Sequence, residues 1–349
     1  MNTNFDLNKL VRPNVAKLKP YSSARDEFQS TGTEMVFLDA NENPFQTDVN
    51  RYPDPQQRTL KAELAKIKEV TPENILLGNG SDEVLDLLFR AFCEPKTDNV
   101  ITLPPTYGMY AVLANINDVE NREIELTSGF QPDVSNILKA VDKHSKIIFL
   151  CSPNNPTGNS FSEEGVLEIL ENFSGLVVVD EAYIDFSKHP SWLKKIQAYP
   201  NLVITQTLSK AYGMAGIRLG TCYASKEIIS VLNKIKPPYN VNELSQLRAI
   251  KRVSNLKKVK REISDILQER TRLFKALLEV YYIQKIYESD ANFILIKVDD
   301  STKRYSELLE MGIVIRNRTT QPLCENTLRL TVGTASENDQ LIKALKAIN

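Results

Sequence analysis

The stretch Thr-Leu-Ser-Lys-Ala-Tyr-Gly-Met-Ala-Gly-Ile-Arg-Leu-Gly, residues 207–220, holds a lysine next to small hydroxyl residues, with an arginine eight positions later. A lysine amine can condense with an aldehyde to form a Schiff base. Thr207, Ser209 and Arg218 can donate hydrogen bonds to a phosphate, and an arginine can do so through two parallel bonds. The stretch therefore predicts covalent binding of a phosphorylated aldehyde at Lys210. Taken alone, it is also typical of a strand followed by a glycine-rich loop with a surface lysine.

Two polar runs lie upstream of this stretch, and each follows apolar residues that predict a β-strand. Ser-Pro-Asn-Asn-Pro-Thr-Gly occupies positions 152–158 after residues 146–150, and Asp-Glu-Ala-Tyr occupies positions 180–183 after residues 176–179. Ligands of parallel α/β sheets bind outside the carboxyl ends of the strands. Each run alone has an ordinary explanation, a turn for the first and a helix N-cap for the second. Three such runs in this order favour a cofactor site.

Pyridoxal phosphate is the cofactor that these residue types predict. Lys210 would bind its aldehyde, and Asp180 would keep the ring nitrogen protonated so that the ring accepts electrons. Asn155 and Tyr183 can hydrogen-bond the ring hydroxyl oxygen. The sequence thus predicts an enzyme that uses pyridoxal 5'-phosphate.

The order of these motifs resembles that of the fold-type-I pyridoxal-phosphate aminotransferases. Four further runs narrow the resemblance to the histidinol-phosphate aminotransferase family, and the similarity extends from about Tyr21 to Thr334. The runs are Leu-Asp-Ala-Asn-Glu-Asn-Pro (38–44), Arg-Tyr-Pro-Asp (51–54), Gly-Asn-Gly-Ser-Asp-Glu (78–83) and Leu-Arg-Leu-Thr-Val-Gly-Thr (328–334). Sister enzymes that act on other substrates share some of them.

The resemblance implies a homodimeric enzyme of histidine biosynthesis that transfers an amino group between L-histidinol phosphate and 2-oxoglutarate. The products would be imidazole acetol phosphate and L-glutamate. The catalytic residues that it implies are Lys210, Asp180, Tyr183 and Asn155. An aromatic-amino-acid aminotransferase and a phosphothreonine decarboxylase of the same fold would use the same catalytic residues, so both alternatives stay open.

Two other classes of protein are disfavoured. A transcription regulator that holds the same cofactor would need an attached DNA-binding module, for which we expect no room. A nicotinamide-binding protein of the Rossmann type would carry Gly-x-Gly-x-x-Gly after the first strand, and this motif is missing there.

The resemblance also implies further cofactor contacts. The backbone N–H groups of Ser81 and Asp82 begin a helix and are expected to bind the cofactor phosphate. Tyr107 is expected to stack on the cofactor ring, although a core aromatic is the ordinary alternative. Tyr52 is expected to reach the phosphate of the neighbouring subunit's cofactor, which would make a homodimer part of the site.

Substrate contacts are expected at the C-terminal and N-terminal ends of the chain. Arg316 and Arg329, thirteen residues apart, are expected to form an anion clamp. One clamp could bind the carboxylate of glutamate and the phosphate of histidinol phosphate in turn. Tyr21 and Asn41 are expected as further substrate contacts. Arg318 has no clear counterpart in the family and is an accessory charge at most.

Composition limits the remaining choices. The chain of 349 residues has 43 basic and 44 acidic residues and two histidines, so neither nucleic-acid binding nor a histidine-based metal site is expected. Four cysteines are scattered without metal or disulfide spacing, which predicts reduced thiols. No stretch is long and apolar enough to predict a membrane span or a secretory signal, so we expect a cytoplasmic protein.

Alternating helices and short apolar strands from about residue 57 to 235 predict an α/β fold. We expect the fold-type-I architecture, with a mostly parallel sheet covered by helices on both faces and a smaller α+β domain. The predicted divisions are an N-terminal arm at 1–45, a large cofactor-binding domain at 46–238 and a small C-terminal domain at 239–349. The arm is expected to pack on the small domain or on the partner subunit.

Overall fold

The structure, a computed structural model, describes residues 5–20 and 36–348. Its larger sheet has seven strands: β1 (Ile75–Asn79), β2 (Asn99–Thr102), β3 (Glu120–Glu123), β4 (Ser145–Cys151), β5 (Leu176–Asp180), β6 (Leu202–Thr207) and β7 (Leu219–Tyr223). They are ordered β1-β7-β6-β5-β4-β2-β3. Strand β7 runs antiparallel to both of its neighbours, whereas the pairs from β6 across to β3 are parallel.

Helices precede or connect these strands: α1 (Leu7–Leu10), α2 (Pro13–Lys17), α3 (Arg58–Lys68), α4 (Ser81–Phe92), α5 (Met109–Ile116), α6 (Val134–Ala140), α7 (Glu163–Asn172) and α8 (Lys226–Ile235). Local sequence explains where several begin. The hydroxyls of Ser162 and Ser225 accept backbone N–H groups of the first turns of α7 and α8. Helix α4 lacks such a side-chain cap within the described residues, because Gly80 precedes it.

Continuous apolar strands explain why the sheet is covered on both faces. All residues of β5 and β6 are buried, as is usual for parallel strands between two helix layers. Alternate residues divide between two cores: Val177 and Val179 face one, and Leu176 and Val178 face the other. Burial of this apolar surface is the main driving force for forming the sheet.

A second sheet lies in the C-terminal part of the chain. Its antiparallel strands are β8 (Ile283–Ile286), β9 (Phe293–Val298), β10 (Arg316–Asn317) and β11 (Thr327–Thr331), in the order β10-β11-β9-β8. The helices of this part are α9 (Glu243–Val253), α10 (Leu256–Leu277), α11 (Ser301–Glu310) and α12 (Ala335–Ala347).

Strand β9 connects the two parts because its side chains alternate between faces. Phe293 and Leu295 pack into a core of the larger sheet. Ile294 and Ile296 pack into the separate core between the second sheet, α10 and α12. Alternation along one strand thus places the second sheet beside the first.

The predicted fold class is confirmed, since the described residues form a mostly parallel sheet with helices and a smaller antiparallel sheet. Ser81 is the first helical residue of α4, and Gly80 takes the N-cap position. Helix α9 was not predicted from the sequence. Its buried Ala249 and Val253 join the core of the larger sheet. The division into domains at residue 238 stays a prediction.

The described part of the N-terminal arm packs on the larger sheet's own helices. Phe5, Leu7, Leu10 and Val11 contact the core that includes α4 and α8. The backbone N–H of Arg12 donates to the carbonyl of Ala91 at the end of α4, at 3.0 Å. The apolar residues of this part of the arm thus cover the end of α4. The expected packing of the arm on the small domain or on the partner subunit stays a prediction.

Two chemical properties of the described residues bear on the composition-based expectations. No helix among them is long and apolar enough to cross a membrane. The four cysteines, Cys93, Cys151, Cys222 and Cys324, are buried free thiols. Burial raises the pKa of the Cys222 thiol to about 12.

Strand β7 and the start of α4 approach each other closely at Gly220. A Cβ at this position would lie 2.2 Å from the backbone nitrogen of Ser81 and 2.5 Å from the carbonyl carbon of Gly80. Gly80 itself has φ +85°, which favours glycine. The absence of a side chain at Gly220 therefore lets the N-terminus of α4 lie against the sheet.

Replacing Gly220 with alanine should reduce the free energy of unfolding by about 1–3 kcal/mol. The new methyl group would clash with the backbone of Gly80 and Ser81, which can shift only together with the start of α4. Gly108→Ala is the matched control. Gly108 has φ −65°, and a Cβ there would have no neighbour within 4 Å among the described residues. The urea midpoints of both variants measure the effect. Equal midpoints for Gly220→Ala and wild type would contradict the close approach.

Candidate active site

Sheet topology brings the polar runs together. The carboxyl ends of the parallel strands β4, β5 and β6 lie at one edge of the sheet, and polar residues follow each of them. Strand β1 is parallel to β6, since both are antiparallel to β7, so the start of α4 lies at the same edge. Because β7 is antiparallel, its first residues also lie there, and Arg218 directly precedes it. One edge thus collects residues from five strands.

A cavity of about 120 Å³ opens at this edge. Its lining includes ten residues that the sequence singled out for the cofactor: Ser81, Asp82, Tyr107, Asn155, Asp180, Tyr183, Thr207, Ser209, Lys210 and Arg218. Cys151, Ala182 and Ala215 complete the lining. Larger grooves exist elsewhere on the surface, but they do not combine a lysine with these groups.

Lys210 lies in the turn after β6, where its backbone carbonyl accepts the N–H of Gly213. Its ammonium nitrogen lies 5.9 Å from the centre of the Tyr183 ring. Solvent still reaches the side chain, yet the surrounding protein lowers the pKa of the amine, first by desolvation and then through the charges of Arg329 and Arg218. A lowered pKa increases the fraction of neutral amine, which is the nucleophilic form.

Asp180 ends β5 and is buried. Its Oδ2 accepts a hydrogen bond of 2.8 Å from the hydroxyl of Tyr110, and its Oδ1 accepts the N–H of Ala182 at 3.2 Å. Burial raises the pKa of Asp180, and the hydrogen bond from Tyr110 opposes that rise. A positively charged group in the cavity would stabilise this carboxylate further.

Tyr110 is a site residue that the sequence analysis missed. It is fully buried on α5, stacked on Phe149 with ring centres 4.9 Å apart. Tyr107 contacts it edge-on at 5.6 Å. Tyr107 precedes α5 and Tyr110 lies in its first turn, so helical spacing does not link the two, and no sequence signal separates Tyr110 from an ordinary core aromatic.

The N-terminus of α4 and Arg218 form the opposite end of the cavity. The first N–H groups of α4 have no side-chain cap, and such groups attract anions. A Cβ on Gly80 would lie 2.9 Å from a guanidinium nitrogen of Arg218, so this cation lies against the helix start. Arg218 is 3.7 Å from the Asp82 carboxylate, which also accepts the Tyr107 hydroxyl at 3.0 Å. These groups suit a phosphate.

Thr207 uses its hydroxyl within the protein. The hydroxyl donates to the carbonyl of Leu219 at 3.3 Å and accepts the N–H of Ser209 at 3.1 Å. These bonds shape the turn that carries Ser209 and Lys210. The hydroxyl hydrogen of Thr207 is therefore already used in a hydrogen bond. The Ser209 hydroxyl forms no hydrogen bond with the described residues.

Arg329, on β11, extends from the second sheet to the cavity. Its guanidinium donates to Oδ1 of Asn155 and lies 5.1 Å from the Phe293 ring centre. This bond orients the Asn155 amide so that its NH₂ group remains available. The pKa of Arg329 is lowered to about 10, first by desolvation and then by the charges of Arg318 and Arg316, while Tyr183 opposes them.

Among the described residues, four predicted contacts are not part of the cavity lining: Tyr52, Asn41, Arg316 and Arg329. Tyr52 is 51% exposed and stacks on Tyr239 with ring centres 4.4 Å apart. Asn41 is exposed, with φ 55°. Tyr21 lies outside the described residues. Their expected roles stay predictions.

Chemically, the cavity fits pyridoxal phosphate. A lysine amine, a buried carboxylate and an anion-binding helix start surround one small space, with an aromatic ring, Tyr107, in its wall. The carboxylate suits a protonated ring nitrogen, the amine suits an aldehyde and the helix start suits a phosphate. The described residues contain no cluster of metal-binding side chains.

Comparisons with known proteins agree with this chemistry. A family model described as aminotransferase class I and II matches residues 32–345. The chain is 69% identical to a histidinol-phosphate aminotransferase of Flavobacterium johnsoniae, with 100% of each chain covered.

Solved structures resemble the fold. The histidinol-phosphate aminotransferase from Clostridium acetobutylicum gives a TM-score of 0.80 at 25% identity, covering 86% of this chain and 91% of that chain. The histidinol-phosphate aminotransferase from Sinorhizobium meliloti was solved in complex with pyridoxal-5'-phosphate. It gives a TM-score of 0.78 at 23% identity, covering 86% of this chain and 83% of that chain. From the family match and the full-length similarity, this chain belongs to the class I and II aminotransferases.

Proposed function

We propose that this aminotransferase transfers the amino group between L-histidinol phosphate and 2-oxoglutarate, giving imidazole acetol phosphate and L-glutamate in histidine biosynthesis. Full-length similarity at 69% identity to a histidinol-phosphate aminotransferase supports this reaction. The observation in the site that carries the proposal is the group of arginines beside Lys210. The charge of Arg329 acts on Lys210, and Arg316 and Arg318 act on Arg329, so three cations are available to the anionic groups that both substrates carry.

We propose that pyridoxal 5'-phosphate is held by Lys210, by Asp180, Asn155 and Tyr183 around its ring, and by Ser81, Asp82, Ser209 and Arg218 at its phosphate. The cofactor supplies a protonated ring that withdraws electrons from the substrate carbon. Asp180 holds the ring nitrogen protonated, and Tyr107 packs on the ring face. Thr207 shapes the turn beneath the phosphate.

Lys210 carries out the proton transfers in this proposal. The lowered pKa of its amine favours the neutral form, which can accept a proton from the substrate carbon. Arg329 binds the anionic end of either substrate and keeps the reacting carbon near Lys210. Its hydrogen bond to Asn155 connects substrate binding to the cofactor ring.

The assembly and location complete the proposal. We propose a cytoplasmic homodimer in which Tyr52 reaches the cofactor phosphate of the neighbouring subunit, and in which Tyr21 and Asn41 contact substrate. Exposure of the Tyr52 ring supports this assignment, because its hydroxyl is accessible to a second chain.

Steady-state transamination tests the reaction. With 2-oxoglutarate as acceptor, kcat/KM should be highest for histidinol phosphate among histidinol phosphate, phenylalanine, tyrosine and phosphothreonine. Lys210→Ala should lose activity towards every substrate, and Lys226→Ala, at an exposed lysine on α8, should retain it. A preference for phenylalanine would replace the proposal with an aromatic aminotransferase. Release of CO₂ from phosphothreonine would indicate the decarboxylase instead.

Tyr110→Phe should weaken cofactor binding by roughly 10- to 100-fold, because Asp180 loses a hydrogen bond to a buried charge. Tyr223→Phe is the matched control, since Tyr223 is also fully buried and its hydroxyl has no hydrogen-bond partner among the described residues. Fluorescence titration with pyridoxal phosphate measures the dissociation constants. The free energy of unfolding without cofactor gives a second comparison. Equal affinities in the two variants would remove the role of Tyr110.

Tyr52→Phe should weaken cofactor retention by about 1.5–3 kcal/mol, the usual loss for a hydrogen bond to a charged group. Tyr239→Phe provides the control, because it keeps the ring stack with Tyr52 and removes a hydroxyl not assigned to the site. Dialysis followed by absorbance of the retained cofactor measures the loss. Unchanged retention in Tyr52→Phe would exclude the cross-subunit contact.

A further inference from the structure

Three arginines project from one face of the second sheet. Arg316 on β10 lies directly opposite Arg329 on β11 in the antiparallel register. Arg318 continues the pairing, since its N–H donates to the carbonyl of Thr327 at 2.9 Å. Residues two apart on a strand point to the same face, as do directly opposed residues. Arg316, Arg318 and Arg329 therefore form one group, which we call the arginine triad.

The arginine triad has no counter-charge in residues 5–20 and 36–348. No carboxylate is among the charges that shift the pKa of Arg318 or of Arg329. The Nε atoms of Arg318 and Arg329 are shielded from solvent and have no hydrogen-bond partner among these residues. The structure thus leaves buried donors unused on two of the three side chains.

Repulsion within the triad lowers the pKa of two of its members, Arg318 and Arg329. Desolvation lowers the pKa of Arg318, and the charge of Arg316 lowers it further. Arg318 and Arg316 act in the same direction on Arg329. Like charges directly opposite each other destabilise a sheet. An anion of matching charge would remove this repulsion and use the free donors.

The number of guanidiniums matters for the choice of anion. A carboxylate has two oxygens and one negative charge, so a pair of arginines can satisfy it. A phosphate monoester has three terminal oxygens and nearly two negative charges at neutral pH. A third guanidinium therefore adds more to phosphate binding than to carboxylate binding.

We propose that Arg318 is a specificity-determining residue, the third guanidinium that makes the substrate end prefer a dianionic phosphate over a monoanionic carboxylate. The inference rests on the proposed function, in which histidinol phosphate brings a phosphate to the place where glutamate brings a carboxylate. Arg329 binds the anionic group of both substrates, and Arg318 provides the preference for the phosphate of histidinol phosphate.

The test compares kcat/KM for histidinol phosphate and for glutamate in Arg318→Gln. The value for histidinol phosphate should fall by about 10- to 100-fold, as for a lost charge-assisted hydrogen bond, and that for glutamate by less than about threefold. Arg318→Lys keeps the charge and should retain most of the preference. Arg261→Gln makes the same charge change at an exposed position on α10 and should alter neither value.

Inhibition by small anions gives an independent readout that a merely structural role would not change. Arg318→Gln should raise the inhibition constant of inorganic phosphate at least about tenfold and that of acetate by less than about threefold. Urea midpoints show whether Arg318→Gln has a folding defect. If it has one, the inhibition constants are compared in Arg318→Lys, in which phosphate should inhibit more strongly than acetate, as we expect for wild type.

The outcomes separate this inference from the proposed function. Equal losses for both substrates and both anions in Arg318→Gln, or no loss for either, would overturn the role of Arg318. If wild type fails to use histidinol phosphate, the proposed function is wrong. Loss of selective phosphate inhibition in Arg318→Gln would then still support the dianion preference.

Discussion

A buried negative charge at the end of β5 is the constraint on which the site depends. Moving an isolated carboxylate out of water costs several kcal/mol, so Asp180 requires partners. Tyr110 and the N–H of Ala182 supply two hydrogen bonds from within the protein. A protonated ring in the cavity would supply the remaining countercharge. The hydrogen bonds of the fold thus stabilise the Asp180 carboxylate only in part.

The aromatic core explains how that carboxylate is held in place. Tyr110 stacks on Phe149 of β4, which in turn stacks on Phe89 of α4 with ring centres 5.3 Å apart. These rings form a rigid stack from the core of the larger sheet to the edge where the cavity opens, because aromatic side chains have few rotatable bonds. Helix α4 therefore contributes twice, through Phe89 to Asp180 and through its N-terminus to the cavity wall. Gly220 permits both by allowing α4 to lie against β7.

Much of this site was predictable from sequence because its residues follow strands with strong apolar patterns. Asp180 directly ends an apolar run, and the same holds for the turn that carries Lys210 after β6. The parallel-sheet rule then places both at one edge. The Arg329 to Asn155 contact joins residues 174 positions apart, and no local pattern encodes such a distance. Tyr110 was missed for a different reason, since a buried tyrosine on an apolar helix has the same sequence signature as any core aromatic.

The position of β7 between β1 and β6 has a consequence for synthesis of the chain. Ile75 of β1 pairs with Tyr223 of β7, so β1 has no strand partner until that distant segment has left the ribosome. Until then its apolar run Ile-Leu-Leu presents an open strand edge of the kind that promotes aggregation. Such non-local pairing also slows folding, because a long loop must close before the contact forms. The topology that brings the cavity residues to one edge therefore leaves β1 without its strand partner until residue 223 has emerged from the ribosome.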